Sequence, residues 1–292
     1  MLNVQKNFRI LVLCLASSIT ALAAETSTTA VSTSPLPQTT STTTIATPVL
    51  NNETAKKFSL ITGLEYSQKV EVEENTERES STDLSFMATY KINDLYNVSA
   101  KTALTQENNG PKNSSISDTT VGFSVKGVKI NDQWITTHAM SAILPTSETS
   151  QDRDRLRAAI AITNGVSYSG DLLKAKYSLG LSKNFHEFDQ NAEGTFLNEY
   201  RITNLISLIV TVSDKFSVSV SGLYRISYTY DKIDRYGFGT FGDLNYAFKE
   251  DLFTNLGVST EGNALKSNGV DSNINVYDDT ASVVRTGLTY VY

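Results

Sequence analysis

Cysteine is almost absent from this chain of 292 residues, and the single one, Cys14, lies near the N-terminus. Residues 15–292 therefore hold no disulfide and offer no thiol chemistry. Histidine is nearly as scarce: His138 and His186 are the only two, which is too few for the usual histidine-rich metal sites. We expect neither a metal nor a cofactor.

A hydrophobic run long enough to cross a membrane as a helix is also lacking, since such a helix needs roughly 20 apolar residues. The longest run, residues 10–16, follows Lys6 and Arg9 and precedes the small residues Ala21–Ala23, which is the pattern of a secretory signal peptide. The residues before Cys14 are Leu, Val and Leu, so a lipoprotein cleavage site is not indicated. We predict a signal peptide over residues 1–23.

Positive charge is in deficit, with 25 Lys and Arg against 31 Asp and Glu. Loss of Lys6 and Arg9 with the signal peptide would leave 23 − 31 = −8. Nucleic acid is therefore not an expected partner, because its binding normally needs a basic face. Residues 24–56 are mostly Thr, Ser, Ala and Pro, which cannot bury enough apolar surface to fold. They are predicted to be a disordered periplasmic linker.

Residues 57–292 contain a repeated turn signal in which an Asp is followed two residues later by a bulky apolar residue. The five Asp residues lie 37 to 43 positions apart and are Asp94, Asp132, Asp171, Asp214 and Asp251. Between the turns, apolar and small polar residues alternate, as in Leu84, Phe86 and Ala88, which indicates strands wetted on one side. The pattern predicts an all-β fold: a transmembrane, antiparallel, up-and-down β-barrel of about 12 strands with short periplasmic turns and longer extracellular loops.

Two strands are ambiguous. If Trp134 faces lipid, strict alternation also turns His138 towards lipid. Phe253 and Leu256 are three residues apart, so strict alternation can place only one of these two apolar side chains on the lipid face. A bulge near the start of each of these strands would reconcile the patterns.

The chain ends in a strand whose one face carries Leu288, Tyr290 and the terminal Tyr292, while its other face carries Arg285, Gly287 and Thr289. This strand resembles the C-terminal assembly signal of bacterial outer-membrane β-barrels, in which Phe is the commoner last residue. The resemblance implies a porin-like small channel in the outer membrane of a Gram-negative bacterium. Its implied partners are outer-membrane lipid and lipopolysaccharide, the barrel-assembly machinery and small-molecule solutes.

A second, local resemblance is carried by Ala142–Ser147, whose Leu-Pro-Thr-Ser is similar to the Leu-Pro-Thr-Gly turn of barrels associated with the uptake of phenol and other aromatic compounds. Ser147 replaces the Gly, and Pro145 is equally explained as a strand terminator. A transporter of hydrophobic compounds therefore stays open as an alternative.

The inward phase of the predicted strands is mainly basic. Rings of Lys and Arg in a pore favour anions, although in a narrow barrel such charges can instead pair with acids and fill the interior. We predict a channel for passive diffusion of small, anionic solutes, and its predicted pore-lining residues are Lys101, Lys126, Lys174, Lys176, Arg201, Arg225, Arg285, Glu65, Glu199 and Asp243.

Two other classes of function were weighed. An outer-membrane enzyme is disfavoured, because His138 and Ser141 are three residues apart on one strand and point to opposite faces, which prevents a nucleophile–base pair. No catalytic residue is therefore assigned. A structural or adhesive barrel without an open pore remains an alternative, since the loops are long enough to meet a partner.

Overall fold

The structure is a computed structural model that describes residues 57–70, 79–109, 113–266, 269, 271–278 and 281–292. The predicted signal peptide, residues 1–23, and the predicted linker, residues 24–56, lie outside the described residues. Among the residues described, no helix has the length and apolar character needed to cross a membrane.

The regular secondary structure of the described chain is almost entirely antiparallel strand. In chain order the strands are β1 (Phe58–Lys69), β2 (Ser80–Lys91), β3 (Tyr96–Glu107), β4 (Ser114–Ile116), β5 (Thr119–Val125), β6 (Trp134–Leu144), β7 (Leu156–Ser169), β8 (Leu173–His186), β9 (Asn198–Thr211), β10 (Phe216–Thr229), β11 (Asp234–Ala247), β12 (Leu252–Asn263) and β13 (Ser282–Val291). A π-helical turn, Thr149–Arg153, lies between β6 and β7.

The sheet closes on itself. Each strand pairs with its neighbours in the sequence, and β13 pairs with β1 from Val291 opposite Ile61 to Val283 opposite Lys69. The short strands β4 and β5 both pair with β3 and occupy one position in the wall, so the 13 strands form a closed barrel of 12 positions. The predicted fold is confirmed.

The five Asp-centred turns all lie at one end of the barrel, which we call the turn end, together with Phe58 and Tyr292. The residue before the Asp closes several of these turns. The Asn93 side chain, for example, accepts hydrogen bonds from the backbone N–H of Leu95 at 2.8 Å and of Tyr96 at 3.0 Å. Asn131 does the same for Gln133 and Trp134.

The opposite, loop end carries the longer connections with one exception. The connection between β10 and β11 is only Tyr230–Ile233, closed by a hydrogen bond from the Lys232 backbone to the Thr229 carbonyl. The last connection folds down over the outer wall, where the Val276 carbonyl accepts hydrogen bonds from the hydroxyls of Thr240 at 3.2 Å and Thr260 at 3.1 Å.

The bulges predicted in the two ambiguous strands were wrong. β6 pairs with β7 without a break from Trp134–Tyr168 to Ile143–Ala159, so His138 shares the outward face with Trp134. The irregularity instead lies after β5, where residues 126–128 are opposed by only two residues of β6. Only glycine fits at position 127 in this arrangement, because a Cβ there would lie 1.5 Å from the Thr136 carbonyl oxygen.

Outward-facing His138 has its ring nitrogens 2.8 Å from Asn164 Oδ1 and 2.9 Å from Thr136 Oγ1, so its polar atoms have partners on the lipid-facing wall. In β12 the register is likewise unbroken. Phe253 lines the interior of the barrel, whereas Leu256 points outward and is 54% exposed.

Candidate functional site in the barrel lumen

The interior of the barrel is one continuous cavity of about 2120 Å³. Its lining reaches from Asp214 and Lys215 in a turn-end connection to Glu148 and Glu193 in the loops at the other end. Alternation along each strand places every second side chain in this cavity, so the small polar residues of the sequence form its wall.

Seven of the ten predicted pore-lining residues line this cavity. These seven are Lys101, Lys174, Arg201, Arg225, Arg285, Glu65 and Asp243. Lys176 lies on the same face of β8, between Lys174 and the buried Ser178.

Two predicted lining residues were placed wrongly. Lys126 lies beyond the end of β5, in the turn-end connection, where its backbone N–H donates to the Leu95 carbonyl. Its charge there acts on Asp94, whose pKa is lowered mainly by a hydrogen bond from Lys91. Glu199 lies at an irregularity in the pairing of β9 with β10, and its carboxylate is 3.4 Å from Lys183 Nζ rather than in the cavity lining.

The lumen also contains acids that sequence reasoning missed. Asp83 and Glu261 both line the cavity. Asp83 shares a face with Ser85, so its position in the alternation could have revealed it. The excess of bases over acids on the inward face is therefore smaller than predicted. Some of these charges pair with each other and others line the cavity, in different parts of the wall.

Two ion pairs lie on the wall formed by β10–β13. Arg285 donates from Nη2 to both oxygens of Asp243, at 2.8 and 2.9 Å, and its guanidinium lies 5.4 Å from the centre of the Phe241 ring. Arg225 Nη2 donates to Glu261 Oε2 at 2.7 Å. We call these four strands the paired wall.

Each of these ion pairs skips a strand and passes over glycine. Arg285 on β13 reaches Asp243 on β11 across Gly257 of β12, and a Cβ at Gly257 would lie 2.1 Å from Asp243 Oδ1. Arg225 on β10 reaches Glu261 on β12 across β11, where Gly237 and Gly239 lie in register with the two partners.

A third polar contact has the same arrangement. Glu65 on β1 and Asn255 on β12 lie on either side of Gly287 of β13, where a Cβ would lie 2.6 Å from Asn255 Oδ1. The glycines of β11–β13 thus provide the space through which charged side chains of non-adjacent strands meet.

The wall formed by β8 and β9, which we call the unpaired wall, differs. Within the described part of the chain, Lys174, Lys176 and Arg201 have no carboxylate within 4.0 Å. Nε of Arg201 is buried without a hydrogen-bond partner, as Nε of Arg285 is, so the two walls differ in their carboxylates and not in this atom. The Arg201 guanidinium lies close enough to that of Arg225 for the two charges to repel each other.

The loop that follows β6 narrows the mouth at the loop end. Asp118 holds this loop, accepting hydrogen bonds from the Ser147 backbone at 3.0 Å and from Ser150 Oγ at 2.5 Å. The π-helical turn is thereby fixed in the cavity lining. Its Arg153 lies 2.9 Å from Asp154, and the hydrogen bond between them raises the pKa of the guanidinium.

The mouth as a whole is acidic. The acids that line it are Glu79, Glu107, Asp118, Glu148, Asp152, Asp154 and Glu193, against the bases Lys69 and Arg153. A solute entering from this end therefore meets negative charge first and the basic groups of β8 and β9 afterwards.

No group of three or more His, Cys, Asp or Glu side chains suited to a metal ion occurs among the residues that the structure describes. The two histidines are far apart in the wall: His138 points outward, while His186 lines the cavity at the loop end and contacts Tyr230.

Comparison with known proteins places the fold. No protein-family model matches the chain, and no curated protein matches it. Among solved structures, the COG4313 outer membrane channel from Pseudomonas putida F1 matches with a TM-score of 0.56 and 10% identity over 80% of this chain and 95% of that one. The NanC porin matches with a TM-score of 0.53 and 10% identity over 79% of this chain and 98% of that one. The chain therefore has the fold of an outer-membrane β-barrel.

Proposed function

We propose that this protein is an outer-membrane channel for the passive diffusion of small solutes, with a preference for anions. The observation that carries the proposal is the continuous cavity lined from the turn end to the loop end, with three unpaired bases on β8 and β9. A purely structural barrel has no need for charges left without partners in its interior, because burying them costs free energy.

The preference for anions follows from the strand-borne charges that line the cavity. Setting aside the ion pairs of Arg225 and Arg285 and the charges of the mouth, the remaining acids are Glu65 and Asp83. The remaining bases are Lys174, Arg201 and Arg235, to which Lys176 adds a fourth. Basic groups lining a narrow aqueous path raise the local concentration of anions.

Planar-bilayer recordings test this proposal. The purified protein should conduct, and its reversal potential in a salt gradient should indicate anion preference. Replacing Lys174, Lys176 and Arg201 by Gln should shift the reversal potential towards cation preference. The matched control replaces Lys126, Lys129 and Lys249, three lysines of the turn-end connections, and should leave selectivity unchanged. Absence of conductance would favour the structural or adhesive barrel.

The proposed location in a Gram-negative outer membrane requires that the turn end face the periplasm. Because the chain carries no cysteine after Cys14, single cysteines report topology directly. An impermeant maleimide applied to whole cells should label Glu193→Cys at the loop end and leave Asp214→Cys at the turn end unlabelled until the cells are broken. Labelling of Asp214→Cys in whole cells would show that the barrel has the opposite orientation, with its turn end outside.

The alternative of a transporter for hydrophobic compounds rests on Leu144–Ser147 alone. In the structure this segment begins the loop that narrows the mouth, and Thr146 Oγ1 donates to the Ser117 carbonyl at 2.9 Å. In that role the segment positions a loop, and the many charged side chains of the cavity lining favour hydrophilic solutes over hydrophobic ones.

A further inference from the structure

Two carboxylates lie side by side on the wall formed by β1 and β2. Glu65 and Asp83 are directly opposed in the strand pairing, and both line the cavity. Asp83 accepts a hydrogen bond from Thr105, and Glu65 lies across Gly287 from Asn255. Within the described residues neither carboxylate has a Lys or Arg nitrogen within 4.0 Å, although Arg285 on the neighbouring β13 acts on Glu65 from a greater distance.

The unpaired bases lie on the opposite side of the ring. In a closed barrel of 12 positions, β8 is six positions from β1, and β9 is six positions from β2. Lys174 and Lys176 are near the turn end of β8, and Arg201 is near the loop end of β9, so positive charge lies near both ends of this wall. The pair of carboxylates therefore faces a wall that contributes only basic charge to the cavity lining.

From this arrangement we infer that the lumen favours dipolar solutes, such as free amino acids and short peptides, over simple anions of similar size. The inference rests on the proposed channel function and names its solute class. Opposite charges on facing walls create a field across the path, and low-dielectric walls concentrate that field. A zwitterion aligned with it turns its carboxylate to β8 and β9 and its ammonium group to Glu65 and Asp83.

A simple anion gains less than a zwitterion does. It is attracted by the bases of β8 and β9 but repelled by Glu65 and Asp83. Before reaching them it must also pass the acidic mouth with Glu148, Asp152 and Glu193. A zwitterion has no net charge, so the mouth opposes its entry far less. The same two walls therefore admit anions modestly and dipolar solutes better.

Proteoliposome uptake of three small solutes tests this inference near neutral pH. The probes are glycylglycine, which is zwitterionic, N-acetylglycine, which is anionic, and erythritol, which is uncharged. We expect glycylglycine to enter about threefold faster than erythritol through the unaltered protein, because field alignment acts only on the charged ends.

Neutralising either wall should abolish that advantage, with opposite effects on the anion. Glu65→Gln with Asp83→Asn should bring the glycylglycine and erythritol rates together while raising entry of N-acetylglycine. Lys174→Gln, Lys176→Gln and Arg201→Gln together should equalise the same two rates while lowering entry of N-acetylglycine. Lys126→Gln with Lys129→Gln is the matched control, and heat-modifiable migration in gels verifies that each variant folds.

The outcomes separate the two proposals. If erythritol enters but glycylglycine enters no faster, or if the wall variants keep the advantage of the zwitterion, the dipolar inference is overturned and the channel stands. If neither erythritol nor any ion passes, the channel function fails, and the inference fails with it.

Discussion

The paired wall of β10–β13 and the unpaired wall of β8 and β9 are built from the same alternating strands yet treat charge in opposite ways. On the paired wall, Arg225 and Arg285 each have a carboxylate on the next strand but one, and glycines make room between them. On the unpaired wall, Arg201 sits opposite serines in both neighbouring strands, Ser182 and Ser227. Whether a basic residue in the barrel interior is held in an ion pair or is available to a solute thus depends on the residues that the nearby strands place beside it.

The largest effect is expected at the strand that closes the paired wall. Tyr290 pairs with Thr62 of β1, and Tyr292 exchanges backbone hydrogen bonds with Leu60 at 2.8 and 3.3 Å. We predict that deleting Tyr290–Tyr292 prevents assembly and leaves protease-sensitive protein in the periplasm, because closure and the proposed assembly signal of Leu288, Tyr290 and Tyr292 are lost together. Heat-modifiable migration of membrane fractions measures this. Normal barrels from the deletion would refute the signal.

A smaller but specific effect is expected from one methyl group. Gly257→Ala on the paired wall would place its Cβ 2.1 Å from Asp243 Oδ1 and 2.8 Å from the Gly242 carbonyl oxygen. The ion pair must then separate, and we expect a loss of about 3 kcal/mol in unfolding free energy, near the lower value for breaking a buried pair. Urea unfolding in lipid vesicles measures it.

The matched control is Gly180→Ala on the unpaired wall, where the nearest atoms to the added Cβ would be 3.6 Å or more away. That change should alter stability by less than about 0.5 kcal/mol, as substitutions without steric conflict do. Equal losses at Gly180 and Gly257 would contradict the assignment of these glycines to the crossing of charges.

The smallest difference in stability, and the sharpest in function, is expected between two arginines. Arg285→Gln leaves the Asp243 carboxylate, with a side chain 12% exposed, without its partner, and should cost about 2 kcal/mol because lumen water offsets part of the penalty. Arg201→Gln strands no acid and should leave the urea midpoint unchanged while shifting selectivity towards cations. A destabilised Arg201 variant with unaltered selectivity would reverse the roles assigned to the two walls.

Much of this architecture could be predicted from the sequence, because turn chemistry and period-two alternation are local properties. Asp94, Asp132, Asp171, Asp214 and Asp251 all lie in turn-end connections, as predicted. Alternation also placed Arg201, Arg225 and Arg285 on the inward face. Those successes require only that the register stay unbroken along each strand.

The failures lie where the register breaks. Lys126 was predicted to line the lumen, but β5 ends at Val125, before the irregular segment around Gly127. Glu199 was misplaced because a one-residue shift in pairing opposite Tyr228 and Thr229 cannot be read from one strand alone. The ion pairs were missed for a related reason, since partners two strands apart depend on the registers of two successive strand pairings.

The crossing of charges over glycine also has a mechanical consequence. Backbone hydrogen bonds join only adjacent strands, so they allow the ring to flatten or widen by hinging at each pairing. The Arg285–Asp243, Arg225–Glu261 and Asn255–Glu65 contacts each join strands that are not neighbours, and so act as struts that resist such hinging from β10 round to β1. Changes in the cross-section of the lumen are therefore expected along the remaining arc from β2 to β9, which carries the bases of β8 and β9.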